Sequence, residues 1–244
     1  MKTFPPFSGF PKDIFNFLND LEKNNNVEWF NLNKDRYQNN FVIPAKSFIT
    51  EIAPFFQRLN PAIRHEPKFN ETIMRINKDM RFAKGAPYKN YFLIHFGRFK
   101  LDSEFFIYFD KNEVQTGIFL NKTEGENLYF KENLIKYKKE LTEVFEKYNL
   151  NKNFALYNLN KEPEIVKKSF DVKKDFELLE KMKFILFQKI DKKISRRVSK
   201  PEFLIDSIKL FSLLYPLYIF AISPNPIKLL EEFEENFGIP ESSL

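Results

Sequence analysis

The central part of the chain begins with the stretch Thr72-Ile-Met-Arg-Ile-Asn-Lys-Asp-Met-Arg-Phe-Ala-Lys-Gly-Ala-Pro-Tyr-Lys89. Read as a β-strand, its first part places alternate side chains on opposite faces. The face that we expect to pack on the core is apolar except for one lysine, and contains Met74, Ile76, Lys78, Met80 and Phe82. The other face, which we call the polar row, contains Ile73, Arg75, Asn77, Asp79 and Arg81. Two arginines with an amide and a carboxylate between them indicate a candidate site.

The polar row has two interpretations. As a structural salt ladder with no ligand site, Asp79 would bond Arg81 and Arg75, and the row would only cover the sheet. As an anion clamp, two guanidiniums and one carboxylate keep a net positive charge, and the planar guanidiniums suit phosphate or carboxylate. Two lysines on the following loop would close over the anion. The predicted ligand-binding residues are Arg75, Asn77, Asp79, Arg81, Lys84 and Lys89.

Three further segments predict an antiparallel sheet after the polar row. Residues 91–98 are nearly all apolar and are expected to form a buried strand. Residues 104–109 and 114–120 read as two strands joined by Asp110-Lys-Asn-Glu113, which suits a hairpin turn. The sequence therefore predicts a central antiparallel sheet over about residues 72–120.

Helices are predicted on both sides of this sheet. Apolar residues recur at helical spacing in the N-terminal third, where Asn24 to Asn26 can cap a helix that starts at Val27, and Pro54 is expected to kink or break another. The predicted helices are residues 11–23, the one from Val27, 44–58, 132–148, 175–193 and 201–221. No segment rich in Gly, Ser or Pro separates these blocks as a linker would, and the sequence contains no internal repeat. We predict a single α+β domain over residues 1–244, with its sheet flanked by N-terminal and C-terminal helices.

Composition limits the chemistry. The 244 residues include 39 basic and 33 acidic side chains, giving a formal charge of +6 that is spread along the chain. A positive balance permits an anionic partner, but no localised basic stripe marks one. The absence of cysteine excludes disulfides and thiolate chemistry. His65 and His95 lie thirty residues apart, without metal-ligand spacing, so neither a metal nor another cofactor is predicted.

The sequence also predicts a cytoplasmic protein without membrane contact. Its first residues contain no apolar segment long enough for a signal peptide. The apolar stretch from Leu210 to Ile222 is shorter than a spanning helix needs, and Asp206 and Lys209 precede it. We interpret this stretch as a buried core helix. The oligomeric state cannot be inferred.

Two blocks of the sequence resemble a known family, the domain-of-unknown-function 2461 group of bacterial and fungal proteins. The family's signature, R-I-x-R-D-x-R-F-S-K-D-K-x-P-Y-K, is matched here by Arg75-Ile76, Asp79, Arg81-Phe82, Lys84 and Pro87-Tyr88-Lys89, with Lys78 at the middle arginine. A second block is matched by Asn25-Asn26, Glu28-Trp29-Phe30 and Tyr37, and weaker similarity extends to Tyr215-Pro216-Leu217. The resemblance supports a site in the first block and implies no particular reaction.

The chain departs from this family pattern in three places. Ala83 stands where the family has serine, and the loop that follows is one residue shorter. The family's glycine-rich strand end is reduced to Thr116-Gly117. If that serine or those glycines contact a ligand, this member handles it differently.

Other candidate residues have simpler structural explanations. Trp29 and Phe30 are expected in the core, and Asn25 and Asn26 as helix caps. Glu28 and Asp79 are the only carboxylates we propose for proton transfer, Glu28 on the condition that its helix packs across the polar row. His95 is expected to be a hydrogen-bonded core histidine rather than a catalytic base. Whether the protein is an enzyme cannot be read from these residues.

An alternative function is an interaction module for nucleic acid or another macromolecule. The basic cluster Lys192-Lys193-Ile-Ser-Arg196-Arg197-Val-Ser-Lys200 is the feature that suggests it. The cluster lies between two predicted helices and has no aromatic residue for base stacking. A solvated loop whose lysines offset a helix dipole explains it better. Binding of a small anionic or phosphorylated ligand at the polar row therefore remains the leading hypothesis.

Overall fold

The computed structural model describes residues 4–82, 84–160 and 163–239. The helices before the sheet are α1 (Asp13–Lys23), α2 (Val27–Leu32), α3 (Lys34–Tyr37) and α4 (Ile43–Leu59), with a π-helical turn at Gln38–Val42. The elements that follow are β1 (Phe92–Phe96), β2 (Glu104–Phe109), β3 (Val114–Asn121), α5 (Phe130–Lys136), α6 (Lys138–Lys147), β4 (Phe154–Leu159), β5 (Pro163–Lys167), α7 (Val172–Lys181), β6 (Phe184–Lys189), α8 (Lys193–Arg196), α9 (Glu202–Ile222) and α10 (Pro226–Phe237).

The strands form one six-stranded antiparallel sheet in the order β1-β2-β3-β6-β4-β5. This confirms the predicted α+β class. The predicted strands at residues 104–109 and 114–120 match β2 and β3 closely. In the turn between them, the Asp110 carboxylate accepts hydrogen bonds from the backbone N–H groups of Asn112 and Glu113.

The extent of the sheet differs from the prediction at both ends. Residues 72–82 contain isolated bridges and turns instead of a regular strand. The predicted helix over residues 175–193 is wrong beyond Lys181, because Met182 is extended and β6 follows. Phe176, Leu179, Met182 and Ile185 recur every third residue, so the apolar spacing of the helix continues past Lys181 as far as Ile185. Within β6 the buried residues are Ile185 and Phe187, which alternate as they do in a strand.

Glycine at position 117 is required by close strand packing. Gly117 pairs with Gln188 of β6 in an antiparallel register. A Cβ atom at this position would lie 1.9 Å from the carbonyl oxygen of Phe187, much closer than any real contact. The glycine that remains of the family's glycine-rich strand end therefore has a structural explanation.

The chain divides into two compact units. Unit 1 contains the described residues of Met1–Phe96, Phe106–Gln115 and Lys193–Asp206. Unit 2 contains those of Gly97–Phe105, Thr116–Lys192 and Ser207–Leu244. The single domain over residues 1–244 stays a prediction.

Unit 1 has an aromatic core. Phe10 lies at the centre, with ring centroids 4.7 Å from Phe109, 6.1 Å from Phe203 and 6.3 Å from Phe48. Helix α1 contributes the buried residues that its sequence pattern predicts, which are Ile14, Phe17, Leu18 and Leu21. Burial of such rings supplies the main stabilising free energy of this unit.

Helix α4 shows how packing overrides a helix-breaking residue. It runs through Pro54 to Leu59, so the predicted break is wrong. Pro54 is exposed, whereas Ile52 and Phe56 on either side of it are fully buried. Their burial holds the helix together although proline lacks a hydrogen-bond donor.

Unit 2 packs around Phe105 and Phe187. The ring of Phe105 lies 5.2 Å from that of Phe211 and 5.0 Å from that of Tyr218. Helix α9 is long and apolar enough to cross a membrane by composition, but 72% of its most apolar window is buried in the fold. This confirms the prediction of a core helix from Leu210 to Ile222.

A buried ion pair fastens a loop of unit 2 to α9. Asp102 is fully buried, and both of its carboxylate oxygens accept hydrogen bonds at 2.9 Å from the Arg98 guanidinium. The Tyr218 hydroxyl donates to the same carboxylate at 2.9 Å. The guanidinium also donates to the carbonyl oxygens of Asn127 and Ile222, so that each of its three nitrogens donates a hydrogen bond.

The charges in this ion pair shift two pKa values. Burial alone would lower the pKa of Arg98, but the Asp102 carboxylate outweighs it and the pKa is raised. Burial, together with the Asp102 charge, raises the pKa of Tyr218 well above its usual value. The guanidinium is therefore charged and the phenol neutral over the ordinary pH range.

Candidate functional site

The polar row lies at the sheet edge in unit 1 but does not form the predicted strand. Thr72 and Met74 pair with β1, since the Thr72 carbonyl accepts from His95 N and Met74 N donates to Leu93 O, both at 3.0 Å. Further on, Ile76 O accepts from Lys89 N at 2.8 Å. From Met74 to Ile76 the polar row advances by two residues, whereas the segment that pairs with it spans four, from Leu93 to Lys89. The extra residues on the partner side interrupt the ladder.

After this interruption the chain forms a short hairpin that we call the basic loop, residues 75–89. Asn77 bridges to Tyr88, and Lys78 N donates to Pro87 O at 2.8 Å. The chain turns at its tip, where Phe82 N donates to Asp79 O at 3.0 Å. Ala83, at which the family pattern has serine, lies outside the described residues.

The tip of the basic loop departs from the predicted two faces. Arg75, Asn77, Asp79, Arg81 and Lys84 are exposed, as a ligand site requires. However, Met80 is 48% exposed and Phe82 is 86% exposed, so the prediction that they pack on the core is wrong. The turn at Asp79 carries them away from the core. Among residues 72–82, the buried apolar side chains are Ile73 and Ile76.

Asp79 and Arg81 form an exposed bidentate pair. The Asp79 carboxylate accepts from Arg81 Nε at 3.0 Å and from Nη2 at 2.8 Å. These hydrogen bonds lower the pKa of Asp79 and raise that of Arg81. The guanidinium also lies over the Phe82 ring, 5.6 Å from its centroid. In the part of the chain that the structure describes, Arg75 has no ion-pair partner, so the predicted ladder extends over one pair only.

Lys89 ties the two sides of the loop together. Its ammonium donates to the carbonyl oxygens of Arg75 and Asn77. Burial, and secondarily the charge of Lys78, lowers the pKa of Lys89. The structure thus gives Lys89 a bracing position at the base of the loop. Lys84 is exposed and, among the described residues, has no ion-pair partner.

The base of the loop is anchored to the start of α2. The Asn25 side chain donates to Tyr88 O and accepts from Tyr88 N, both at 3.0 Å. The Tyr88 ring stacks on Phe30 with centroids 4.1 Å apart. Asn26 caps α2 as predicted, by accepting from Trp29 N at 2.9 Å, whereas Asn25 is not a cap. The two sequence blocks that carry the family resemblance therefore meet here.

Glu28, the remaining predicted site residue, is not joined to the basic loop, and neither are Arg36 and Tyr37 of α3. Glu28 is exposed on the first turn of α2, and no hydrogen bond or ion pair links it to the described loop residues. Arg36 instead binds Asp13 at 2.6 Å and Asp20 at 2.8 Å on α1. Tyr37 is buried, and its hydroxyl has no hydrogen-bond partner among the described residues. Proton transfer by Glu28 or Asp79 stays a prediction.

The basic cluster of residues 192–200 includes short helix α8 and a following turn. Arg197 is paired with both carboxylate oxygens of Asp206, at 3.0 and 2.9 Å, and this pair raises its pKa. Ile194 and Val198 are buried, while Arg196 and Lys200 are exposed. Two apolar residues of this cluster thus pack the turn, and Arg197 holds it to Asp206.

The sequence analysis missed a half-exposed aromatic surface beside the loop. Residues 91–98 were predicted to be buried, but only alternate residues of β1 are buried and Tyr91, Leu93 and His95 are half-buried. The Tyr91 ring lies 5.0 Å from that of Tyr108. Its hydroxyl lies 3.7 Å from the Met74 sulfur, just before the loop. The available signal was that the polar-tipped Tyr91 and His95 fall on one face of the segment, whereas the other face contains Phe92, Ile94 and Phe96.

Searches for metal sites and for relatives give the following findings. In residues 4–82, 84–160 and 163–239, no group of three His, Cys, Asp or Glu side chains could hold a metal ion. Comparison with curated proteins and with solved structures finds no significant match. A family model described as "Conserved hypothetical protein (DUF2461)" matches residues 13–220, which include both resembling blocks. The chain therefore belongs to the domain-of-unknown-function 2461 family.

Proposed function

We propose that the basic loop binds a phosphate-bearing ligand. The observation that carries this proposal is an excess of exposed positive charge on an anchored loop. Residues 75–89 include five basic side chains and one acidic side chain. Arg75 and Lys84 have no ion-pair partner in the described part of the chain, and their charges are available to an anion.

The anchoring of the loop supports binding. Asn25 holds both backbone polar groups of Tyr88, and Lys89 braces two carbonyl oxygens across the hairpin. A loop that is already held in place loses less conformational entropy when a ligand binds.

The proposal is for binding without turnover. Asp79 is held ionised by Arg81, and a carboxylate with a lowered pKa is a weak general base near neutral pH. We place this binding in the cytoplasm, in keeping with a chain that lacks cysteine.

The test is a titration of the purified chain with inorganic tripolyphosphate, followed by calorimetry at low salt. Arg75→Ala and Lys84→Ala are expected to weaken binding several-fold, because each removes an exposed cation from the loop. Arg196→Ala is the matched control, since it removes an exposed arginine from the cluster at 192–200 in the same unit. Unchanged affinity in both loop variants would overturn the proposal.

The two alternative functions give different results in the same experiment. A salt ladder without a ligand site predicts no tripolyphosphate binding above that of any basic surface, and equal effects of Arg75→Ala and Arg196→Ala. An interaction module at residues 192–200 predicts that Arg196→Ala has the larger effect. The pairing of Arg197 with Asp206 is the reason that we rank this module second.

A further inference from the structure

We infer that the ligand of the basic loop is a single-stranded nucleic acid, with a base stacked on Phe82 and phosphates bound by the loop cations. This inference rests on the proposed anion binding and adds the class of ligand. It goes beyond an isolated phosphate because it assigns a use to the apolar residues at the tip of the loop.

Phe82 is the first observation. It is 86% exposed, the most exposed of the large apolar side chains in the described part of the chain. A phenylalanine so exposed contributes little to the core, and its exposure has a cost in water. Its ring is a flat surface on which any unpaired base can stack.

The position of Arg81 is the second observation. Its guanidinium is held by Asp79 through two hydrogen bonds and lies over the Phe82 ring. The pair thus forms a stacked cation and ring at the tip of the loop. Because Asp79 neutralises Arg81, phosphate binding is left to Arg75, Lys78 and Lys84. One exposed aromatic ring therefore lies among exposed basic side chains on the same loop, a combination that surfaces binding single strands use.

The tyrosines beside the loop favour nucleic acid over a lipid surface. Tyr91 and Tyr108 are half-buried, with ring centroids 5.0 Å apart, and offer further aromatic surface for contact with bases. Met80 and Phe82 are the only exposed large apolar residues described in the loop. Two apolar side chains next to a carboxylate offer only a small apolar surface for binding to a membrane.

The experiment measures fluorescence anisotropy of a labelled oligothymidylate of about 20 nucleotides, a length that covers a typical single-strand site. The full chain is compared with Phe82→Ala, Phe82→Leu and Phe82→Tyr. Loss of one stacked base is expected to weaken binding about tenfold in the alanine and leucine variants. Tyrosine keeps the stacking surface and is expected to retain affinity.

The leucine variant separates stacking from simple hydrophobic contact, because it keeps apolar volume without an aromatic face. Arg75→Ala is expected to reduce the salt dependence of binding, since one phosphate contact is lost, whereas Phe82→Ala should leave it unchanged. All Phe82 variants should show the thermal unfolding of the parent chain, because the ring is exposed.

Four outcomes would overturn the inference. Equal affinity of Phe82→Ala and the parent would show that no base stacks there. Equal affinity of Phe82→Leu and the parent, with binding to phosphatidylserine vesicles, would assign the loop to a membrane surface. Tripolyphosphate binding that depends on Arg75 without binding of the oligonucleotide would refute the nucleic-acid ligand and leave the proposed function intact. Failure of both ligands would refute both.

Discussion

Two arginine–aspartate pairs in this protein have the same bidentate geometry and opposite surroundings. In unit 2 the side chain of Asp102 is 0% exposed and that of Arg98 is 14% exposed. In unit 1 the side chains of Asp79 and Arg81 are 49% and 81% exposed. Burial, rather than the contact between the charges, decides what each pair does. The buried pair fastens a loop, and the exposed pair shapes a surface that a ligand can reach.

The difference follows from the solvent around the charges. Removing one partner of a buried pair leaves the other charge without compensation in a medium of low polarity. Around an exposed pair, water replaces the lost partner at little cost. Replacing aspartate by asparagine should therefore lower the free energy of unfolding at the buried pair and change the ligand affinity at the exposed pair.

The largest expected effect comes from breaking the buried pair. Asp102→Asn would leave the Arg98 guanidinium buried and without a counter-charge, and we expect a loss of about 3–5 kcal/mol of unfolding free energy. Urea unfolding followed by circular dichroism measures it. Asp79→Asn is the matched control and should unfold with the parent chain. If Asp102→Asn were as stable as the parent, burial would not be the deciding difference.

The next largest effect is expected when the hydroxyl groups of two buried tyrosines are removed one at a time. The Tyr218 hydroxyl donates to the Asp102 carboxylate, so Tyr218→Phe should cost about 1.5–3 kcal/mol, the range for hydrogen bonds to charged groups. The Tyr37 hydroxyl is buried without a partner among the described residues, so Tyr37→Phe should be neutral or stabilising. Equal losses in the two variants would mean that an unobserved group satisfies Tyr37.

Local patterns in the sequence predict much of the fold. Helix α1 has a clean helical periodicity, and strands β2 and β3 are strand-length segments on either side of a turn sequence; all three were located almost to the residue. The start of β6 was hidden because Met182 and Ile185 continue the apolar spacing of α7, so this spacing did not show the boundary. Pro54 was given too much weight because the burial of its neighbours is a property of the whole fold.

The exposure of the polar side chains of the row was predicted, but the conformation of the chain there was not. Arg75, Asn77, Asp79 and Arg81 are exposed together, as expected from their polarity. The anchor between Asn25 and Tyr88 joins residues that are 63 positions apart, and no local pattern contains it. The exposure of Phe82 depends on the turn at Asp79, because a strand that continued to residue 82 would have directed this ring to the core.

A smaller effect is expected from removing the carboxylate of the exposed pair. Asp79→Asn raises the charge of the loop by one and releases Arg81 from its partner. We expect tripolyphosphate and oligonucleotide affinity to rise by about twofold to fivefold, with a steeper salt dependence. Calorimetry at two salt concentrations measures both. A fall in affinity would show instead that the carboxylate positions Arg81 for the ligand.

The smallest effect concerns the pH dependence of the exposed pair. The hydrogen bonds from Arg81 lower the pKa of Asp79 from its ordinary value of 3.8. A lowered folded-state pKa gives a stability contribution that is present above the unfolded pKa and is lost as the pH falls through the folded pKa. Water around the pair keeps this contribution small, so unfolding measurements are a poor probe of it.

A carboxyl carbon NMR titration measures the pKa of Asp79 directly, and Arg81→Ala should return the midpoint of this titration to the ordinary value. If the midpoint stayed low in that variant, the backbone N–H of residue 81, which also donates to Asp79, would be the main cause.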